Sequence, residues 1–358
     1  SRILLDRNAH RAFYSAMALL DLTPVYLDRP TAEQVSAALS KYETIQAVCI
    51  TSPTYYGVIA DVEEIAAVCR AHGARLLVDE AHGAHFPFVG RGSCAAARGA
   101  SVSVSSAHKT LPALGSTALL FTDGSFSPAA VREKTALFGT SSPSYLLMAS
   151  IDWARAYLTE GAGGAAYRTV AAAAARLRAQ INKRGVFHAL CETDGLSLDP
   201  TRLTVDTGRG GLSGHQAGER LEQEYNIWPE MTDRDRVVCI LTCADTAEEL
   251  ERLEAAFAAL EQFADAAPFP PCPPPPPPQV RRSIREAVFA PRRMLSLAEA
   301  AGCISASSIA PYPPGVSVVA PGEEITREIV EYLAVVGYDV SAPVPVLDET
   351  GFVGKETL

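Results

Sequence analysis

The sequence predicts an α/β fold: a large three-layer α/β/α domain on a mostly parallel sheet, a small α+β domain, and a further domain beyond a proline-rich linker. Three observations predict it. Short apolar runs alternate with helix-like segments along the first half of the chain. Two of those runs end in clusters of polar residues. Between Pro268 and Pro278 the sequence is almost pure proline, a polyproline II spacer.

Ile3–Leu5 reads as a strand, followed by a helical stretch from about Ala9 to Leu20 and a strand at Val25–Leu27. Thr31 can cap a helix through Ser40 by accepting from an orphaned first-turn amide, and Ala47–Thr51 is the next strand. Asp61 caps a helix with apolar Val62, Ile65, Ala66 and Val68, and Gly73 ends it. Strands follow at Arg75–Val78, Val102–Ser105 and Thr117–Phe121. Repeated β-α-β spacing predicts largely parallel neighbours, right-handedly connected, with helices on both faces. Long helices are expected at Ser144–Glu160 and Ala165–Arg184. The second leads into a small domain, roughly Gly185 to Phe263, that reads strand (Leu203–Val205), helix (Gly214–Tyr225), strand (Val237–Thr242), helix (Ala247–Phe263). The domains expected are therefore 1–184, 185–267, a linker at 268–278, and 279–358. A stiff spacer is preferred to an SH3-type ligand, because basic anchors do not flank the prolines at the usual spacing.

With 358 residues, 48% of them hydrophobic, the chain can bury a large core in two or three domains. Its net charge of −10 argues against nucleic acid or an anionic membrane as partner and suits a cytoplasmic enzyme acting on a small molecule. No run reaches the ~18 apolar residues needed to span a bilayer, and no signal-peptide pattern is visible. Eight cysteines occur without C-x-x-C or Cys/His ligand spacing, so reduced, mostly buried thiols and no metal site are expected.

The most informative stretches are Leu76-Leu77-Val78-Asp79-Glu80-Ala81-His82-Gly83-Ala84-His85 and Ser105-Ser106-Ala107-His108-Lys109-Thr110. Ligands of open α/β sheets sit beyond the carboxyl ends of parallel strands, so these polar residues should converge on one crevice. An acid at one strand end and a lysine at the next suit pyridoxal phosphate (PLP). Lys109 would form the Schiff base, and Asp79 would pair with the protonated pyridine nitrogen and keep the ring an electron sink. A lysine flanked by His108 and Leu111 after a small-residue strand sits in a poor setting for a surface charge, and burial lowers an amine's pKa.

Asp79–His85 followed by the S-x-H-K of Ser106–Lys109 resembles the basic amino acid (ornithine/lysine/arginine) decarboxylases of the aspartate-aminotransferase-like, fold-type I PLP enzymes, nearest their shorter arginine-decarboxylase branch. A second block, Tyr312-Pro313-Pro314-Gly315 with Pro321-Gly322-Glu323, resembles a YPPG-x-P-x-x-x-PGE motif of the same family's C-terminal domain. Ser317 stands where that motif has its second proline, and Cys303 where the family commonly has arginine.

The resemblance implies a PLP-dependent transferase-like large domain and a C-terminal decarboxylase domain. It implies that His10, in Arg7-Asn8-Ala9-His10, stacks on the cofactor ring, with Arg11 in place of the usual lysine, and that Ala81 lies beside the other face. His82 would contact the substrate carboxylate or the ring hydroxyl, and Ser106 and His108 the phosphate. Thr140–Ser144 would reach the phosphate of a neighbouring subunit's cofactor through Ser141 and Ser142, giving a homodimer or higher oligomer with shared sites. On the residues alone that segment is an N-cap cluster for the following helix, and both readings can hold. His85 is expected to pack or cap, and Ser52, standing where the family has asparagine, to line the pocket wall.

The activity implied is decarboxylation of a basic L-amino acid, arginine before lysine or ornithine, as in polyamine biosynthesis. Another PLP reaction, aminotransfer or a lyase step, is the enzymatic alternative. A non-catalytic dimerisation partner is the alternative from another class. The sequence opens at Ser1, and the family's Gly/Ser/Thr-rich phosphate turn is absent from it. A truncated chain that binds PLP weakly and decarboxylates poorly is the corresponding expectation.

Overall fold

In the computed structural model, residues 1–27, 29–265, 267–270, 272–311 and 315–348 are described. They form two compact units, one of Ser1–Arg29, Glu43–Gln46 and Pro270–Leu358, the other of Pro30–Tyr42 and Ala47–Phe269. The first unit opens with β1 (Arg2–Asp6), α1 (Arg11–Leu20) and β2 (Thr23–Leu27). The second begins with α2 (Ala32–Lys41), β3 (Ala47–Thr51), α3 (Val62–Ala71), β4 (Arg75–Asp79), β5 (Val102–Ser106), the one-turn α4 (Ala107–Thr110) and β6 (Ala118–Thr122). It continues through α5 (Pro128–Ala136), α6 (Tyr145–Thr159), α7 (Gly163–Arg184), β7 (His188–Ala189) and β8 (Arg202–Asp206). Its last elements are α8 (Gly214–Tyr225), β9 (Met231–Thr232), β10 (Arg236–Ile240) and α9 (Ala247–Leu260). The first unit resumes with α10 (Ile284–Phe289), β11 (Arg292–Ser296), α11 (Arg327–Val335) and β12 (Pro343–Leu347).

Local chemistry sets the helix starts. Thr31 Oγ1 accepts from Gln34 N at 3.3 Å, and Asp61 Oδ1 from Glu64 N at 3.0 Å. The first helix starts two residues later than expected because His10 is its cap, with Nδ1 accepting from Ala12 N at 3.3 Å. The last helix of the second unit ends at Leu260, and Glu261–Phe263 tighten into a 3-10 turn.

In the second unit β3, β4 and β5 are parallel neighbours, with Thr51 opposite Asp79 and Asp79 opposite Val104. α3 connects β3 to β4 and buries Val62, Ile65, Ala66 and Cys69. β6 departs from the parallel expectation and runs antiparallel to β5, with Ser106 opposite Ala118. Only positions 107–117 separate these strands, short of the dozen or more residues a parallel crossover needs. Further along, β7-β8-β10-β9 form an antiparallel sheet. Ile181 from α7, Leu221 from α8 and Phe257 from α9 are fully buried against Leu203, Val205 and Val237. Each such side chain stabilises the fold by about 1.5–3 kcal/mol.

In the first unit β1 and β2 pair in parallel, and β11 and β12 antiparallel around Ile309, Val319, Ile329 and Val344. Glu323 of the Pro321-Gly322-Glu323 block receives both Nη1 (2.8 Å) and Nη2 (2.7 Å) of Arg7. Burial would lower the Arg7 pKa, but the hydrogen bond and charge of Glu323 outweigh it and hold the guanidinium charged. Gly322 has φ +88°, and a Cβ there would lie 2.3 Å from the Arg282 carbonyl oxygen, so this turn requires glycine. Ser317 is buried and Cys303 half-buried, whereas Tyr312–Pro314 of the YPPG block lie outside the described residues.

All eight cysteines are free. Cys49, Cys69, Cys239 and Cys243 are buried, Cys94, Cys191 and Cys303 half-buried, and Cys272 exposed. Among the described residues no helix is long and apolar enough to cross a membrane.

Candidate active site

β4 delivers Asp79 at its end, and its parallel neighbour β5 leads directly into α4, which carries His108 and Lys109. Ser106 N donates to Ala81 O at 3.3 Å, drawing the two strand exits together. Asp79 is half-buried, and its Oδ1 accepts from Ala81 N at 3.0 Å.

Lys109 Nζ lies 3.2 Å from Nε2 of the buried His82, whose Nδ1 lies 3.1 Å from Arg202 Nη2. A guanidinium only donates, so Nδ1 is the acceptor and a neutral imidazole carries its proton on Nε2. That N–H faces Lys109, which can accept it only as a free amine. The electrostatics run the same way. Burial lowers the Lys109 pKa and the Arg202 charge adds to this, against the opposing pull of Asp79 and Glu230; the net shift is downward. Burial, then the Arg202 charge, push His82 down to about 2, so it stays neutral. Against the sequence expectation of a buried amine, the Lys109 side chain is exposed, so the desolvation that lowers its pKa is only partial.

Arg202 opens β8 and is held from several sides. Arg178 of α7 donates to Pro200 O at 3.0 Å, Asp199 O at 2.9 Å and Arg202 O at 2.6 Å. Asp199 Oδ1 takes hydrogen bonds from Thr201 N, Thr201 Oγ1 and His85 Nε2, all at 2.9 Å. Burial would raise the Asp199 pKa, but His85 and Arg202 hold it at about 2. His85 is itself buried and stacks on Tyr167, with ring centroids 5.6 Å apart. Gly57 has φ +86°, and a Cβ there would come within 2.6 Å of Arg202 Cγ, so glycine lets the 51–57 turn lie against the arginine. In that turn Ser52 Oγ accepts from Ala60 N at 3.0 Å. Tyr55 sets its ring edge-on to His82, with centroids 4.7 Å apart, and donates to Glu230 Oε1 at 2.6 Å.

The structure thus brings Asp79, Ala81, His82, Ser106, His108 and Lys109 to two adjacent strand ends. Ser106 is half-buried at the start of α4 and makes no side-chain capping bond. His108 is exposed and donates from Nδ1 to Thr117 O at 2.8 Å, so its Nε2 donates only when the ring is protonated. Ser141 and Ser142 are exposed on the turn before α6, and Ser144 Oγ caps that helix by accepting from Leu147 N. Among the described residues no hydrogen bond joins Ser141 or Ser142 to the Lys109 cluster. His10 belongs to the first unit, as the α1 cap. Arg202, Asp199 and Glu230 were not foreseen. An arginine in the apolar run Arg202-Leu203-Thr204-Val205 was a readable signal, whereas Glu230 carried none.

Arg202→Met tests this arrangement. It removes a charge that lowers the Lys109 pKa, so the amine's titration should shift to higher pH and its modification rate at neutral pH should fall. The pH dependence of reductive methylation at Lys109, read by mass spectrometry, measures it; an unshifted profile refutes the coupling.

A solved lysine decarboxylase from Francisella novicida shares the fold at a TM-score of 0.75 and 19% identity, over 97% of this chain and 66% of its own. The chain belongs to the Orn/Lys/Arg decarboxylase family: residues 1–193 match the family's major domain and 277–342 its C-terminal domain. It is 30% identical over 357 residues to an arginine decarboxylase of Bacillus anthracis, and 29% over 359 residues to that of Bacillus subtilis. Both alignments cover 93% of this chain and 72% of the relative. The chain thus spans just under two thirds of the solved lysine decarboxylase and nearly three quarters of the arginine decarboxylases.

Proposed function

We propose that this chain, with PLP, decarboxylates a basic L-amino acid, arginine ahead of lysine and ornithine. The observation that carries the reading is the Arg202–His82–Lys109 relay, which presents a free amine beside the half-buried carboxylate of Asp79. The donor set fits the cofactor. An amine with a lowered pKa can condense with an aldehyde, a carboxylate can hold a pyridinium proton, and buried Arg202 keeps Nε and Nη1 without hydrogen-bond partners among the described residues. PLP would supply the carbonyl for that condensation and the ring that takes up the electron pair released with CO2.

The chain's own residues do the rest. Lys109 holds the cofactor and yields it to the substrate amine. Asp79 holds the proton on the ring nitrogen. His82 and Ala81 line the ring's surroundings. Ser106 and His108 are offered to the phosphate. Glu230, whose charge already acts on Lys109, suits the cationic side chain of the substrate, and the named relatives favour arginine. The exposed Leu137, Phe138, Tyr145 and Leu146 flank the Ser141–Ser142 turn, an apolar surface consistent with a homodimer in which that turn reaches a neighbouring site.

The test combines labelling with a substrate panel. Borohydride reduction in the presence of PLP should place the pyridoxyl mass on the Lys109 peptide, and CO2 release should be fastest from L-arginine. Labelling of another lysine overturns the site. Faster release from lysine or ornithine overturns only the substrate order.

A further inference from the structure

We propose that His188, Cys191 and Asp194 form a zinc-binding site, separate from the Lys109 cluster. Their H-x2-C-x2-D spacing matches no zinc-finger pattern. His188 lies on the short edge strand β7, and Glu192–Asp194 form a 3-10 turn closed by Gly195. One imidazole nitrogen, one sulfur and one carboxylate oxygen lie within 4.8 Å of one another. His188 Nε2 is 2.9 Å and Cys191 Sγ 3.6 Å from Asp194 Oδ2. Tetrahedral zinc, with bonds of about 2.0–2.1 Å to N and O and about 2.3 Å to S, requires N–O and S–O separations of roughly 3.3 and 3.5 Å. The N–O separation of 2.9 Å and the S–O separation of 3.6 Å lie within a few tenths of an ångström of these values, and the imidazole nitrogen and the sulfur lie within 4.8 Å of one another.

The donor set selects the metal. A thiolate with an imidazole and one carboxylate suits zinc, whereas calcium and magnesium take oxygen ligands. Three protein ligands at a half-exposed turn leave the fourth position to water and give the ion an entry path. The surroundings are already braced. Asn182 donates from Nδ2 to Ala189 O at 2.9 Å and to Cys191 Sγ at 3.5 Å, and accepts from Ala189 N at 2.7 Å. One side chain thus pins the strand and donates to the sulfur, as outer-shell groups do around metal-bound thiolates. Binding releases the thiol proton to solvent, shifts the imidazole proton of His188 from Nε2 to Nδ1, and replaces the His188–Asp194 hydrogen bond with two metal bonds.

Cobalt titrated into the reduced 358-residue chain should give a thiolate-to-cobalt charge-transfer absorption, and zinc should displace it. Cys191→Ser should remove the band, and Asp194→Asn should weaken zinc binding at least about tenfold, the scale on which even outer-shell partners act. Cys272→Ser should leave both intact. Pyridoxyl labelling of Lys109 should persist in Cys191→Ser, which keeps this result independent of the proposed activity. Absence of the band, its survival in Cys191→Ser, its loss in Cys272→Ser, or unchanged zinc affinity in Asp194→Asn would each overturn the site.

Discussion

Lys109→Ala is expected to abolish decarboxylation, with turnover reduced on the order of 10⁴-fold or more, as when the nucleophile of a cooperating set is deleted. An alanine has no amine to condense with the cofactor. The His82 Nε2–H that now faces Lys109 would lose its acceptor to water, and because Lys109 is open to solvent the fold should survive. Lys109→Arg should fail equally, since a guanidinium stays protonated and cannot act as the amine. A small primary amine added to Lys109→Ala should restore part of the activity by supplying the missing function. CO2 release with and without that amine, beside the thermal unfolding midpoint, measures these effects. Activity within tenfold of the parent would remove Lys109 from the chemistry. An unfolded Lys109→Ala together with an active Lys109→Arg would make its role structural.

What the sequence disclosed depended on distance along the chain. Thr31 and Asp61 announced their helices because a cap acts within three residues of itself. Asp79, His82 and Lys109 could be read together because they follow neighbouring strands, and strand ends are where α/β proteins assemble sites. β6 is legible as a strand, and the short 107–117 connection is the signal for its antiparallel direction. α5 escaped notice because it buries none of its side chains, so no apolar stripe marks it. β7 and β9 are two residues each, too short for any alternation to register. The arginine that fixes the His82 proton lies 120 positions from it, and Glu323 lies 316 from the Arg7 it pairs with. Such pairings are decided by packing of distant elements, to which local periodicity is blind. The His188–Cys191–Asp194 cluster is illegible for another reason: a single cysteine sharing a turn with a histidine and an aspartate matches no zinc-finger spacing.

Asp79→Asn separates catalysis from architecture, because it should move two observables in opposite directions. The substitution is nearly isosteric, and the amide oxygen can still accept from Ala81 N, which now bonds Oδ1 at 3.0 Å. What disappears is the negative charge. That charge raises the Lys109 pKa, so its loss should lower the pKa further and leave more free amine at neutral pH. Pyridoxyl labelling of Lys109 should therefore persist, with its pH profile displaced to lower pH. Decarboxylation should nevertheless fall about 10²–10³-fold, the scale for deleting one preorganised electrostatic partner of developing charge, because no carboxylate remains to hold the proton on the ring nitrogen. A damaged fold would depress labelling and turnover together. Measuring both on one preparation distinguishes the cases: turnover within tenfold of the parent removes Asp79 from the ring nitrogen, and labelling displaced to higher pH would show that its charge does not act on Lys109.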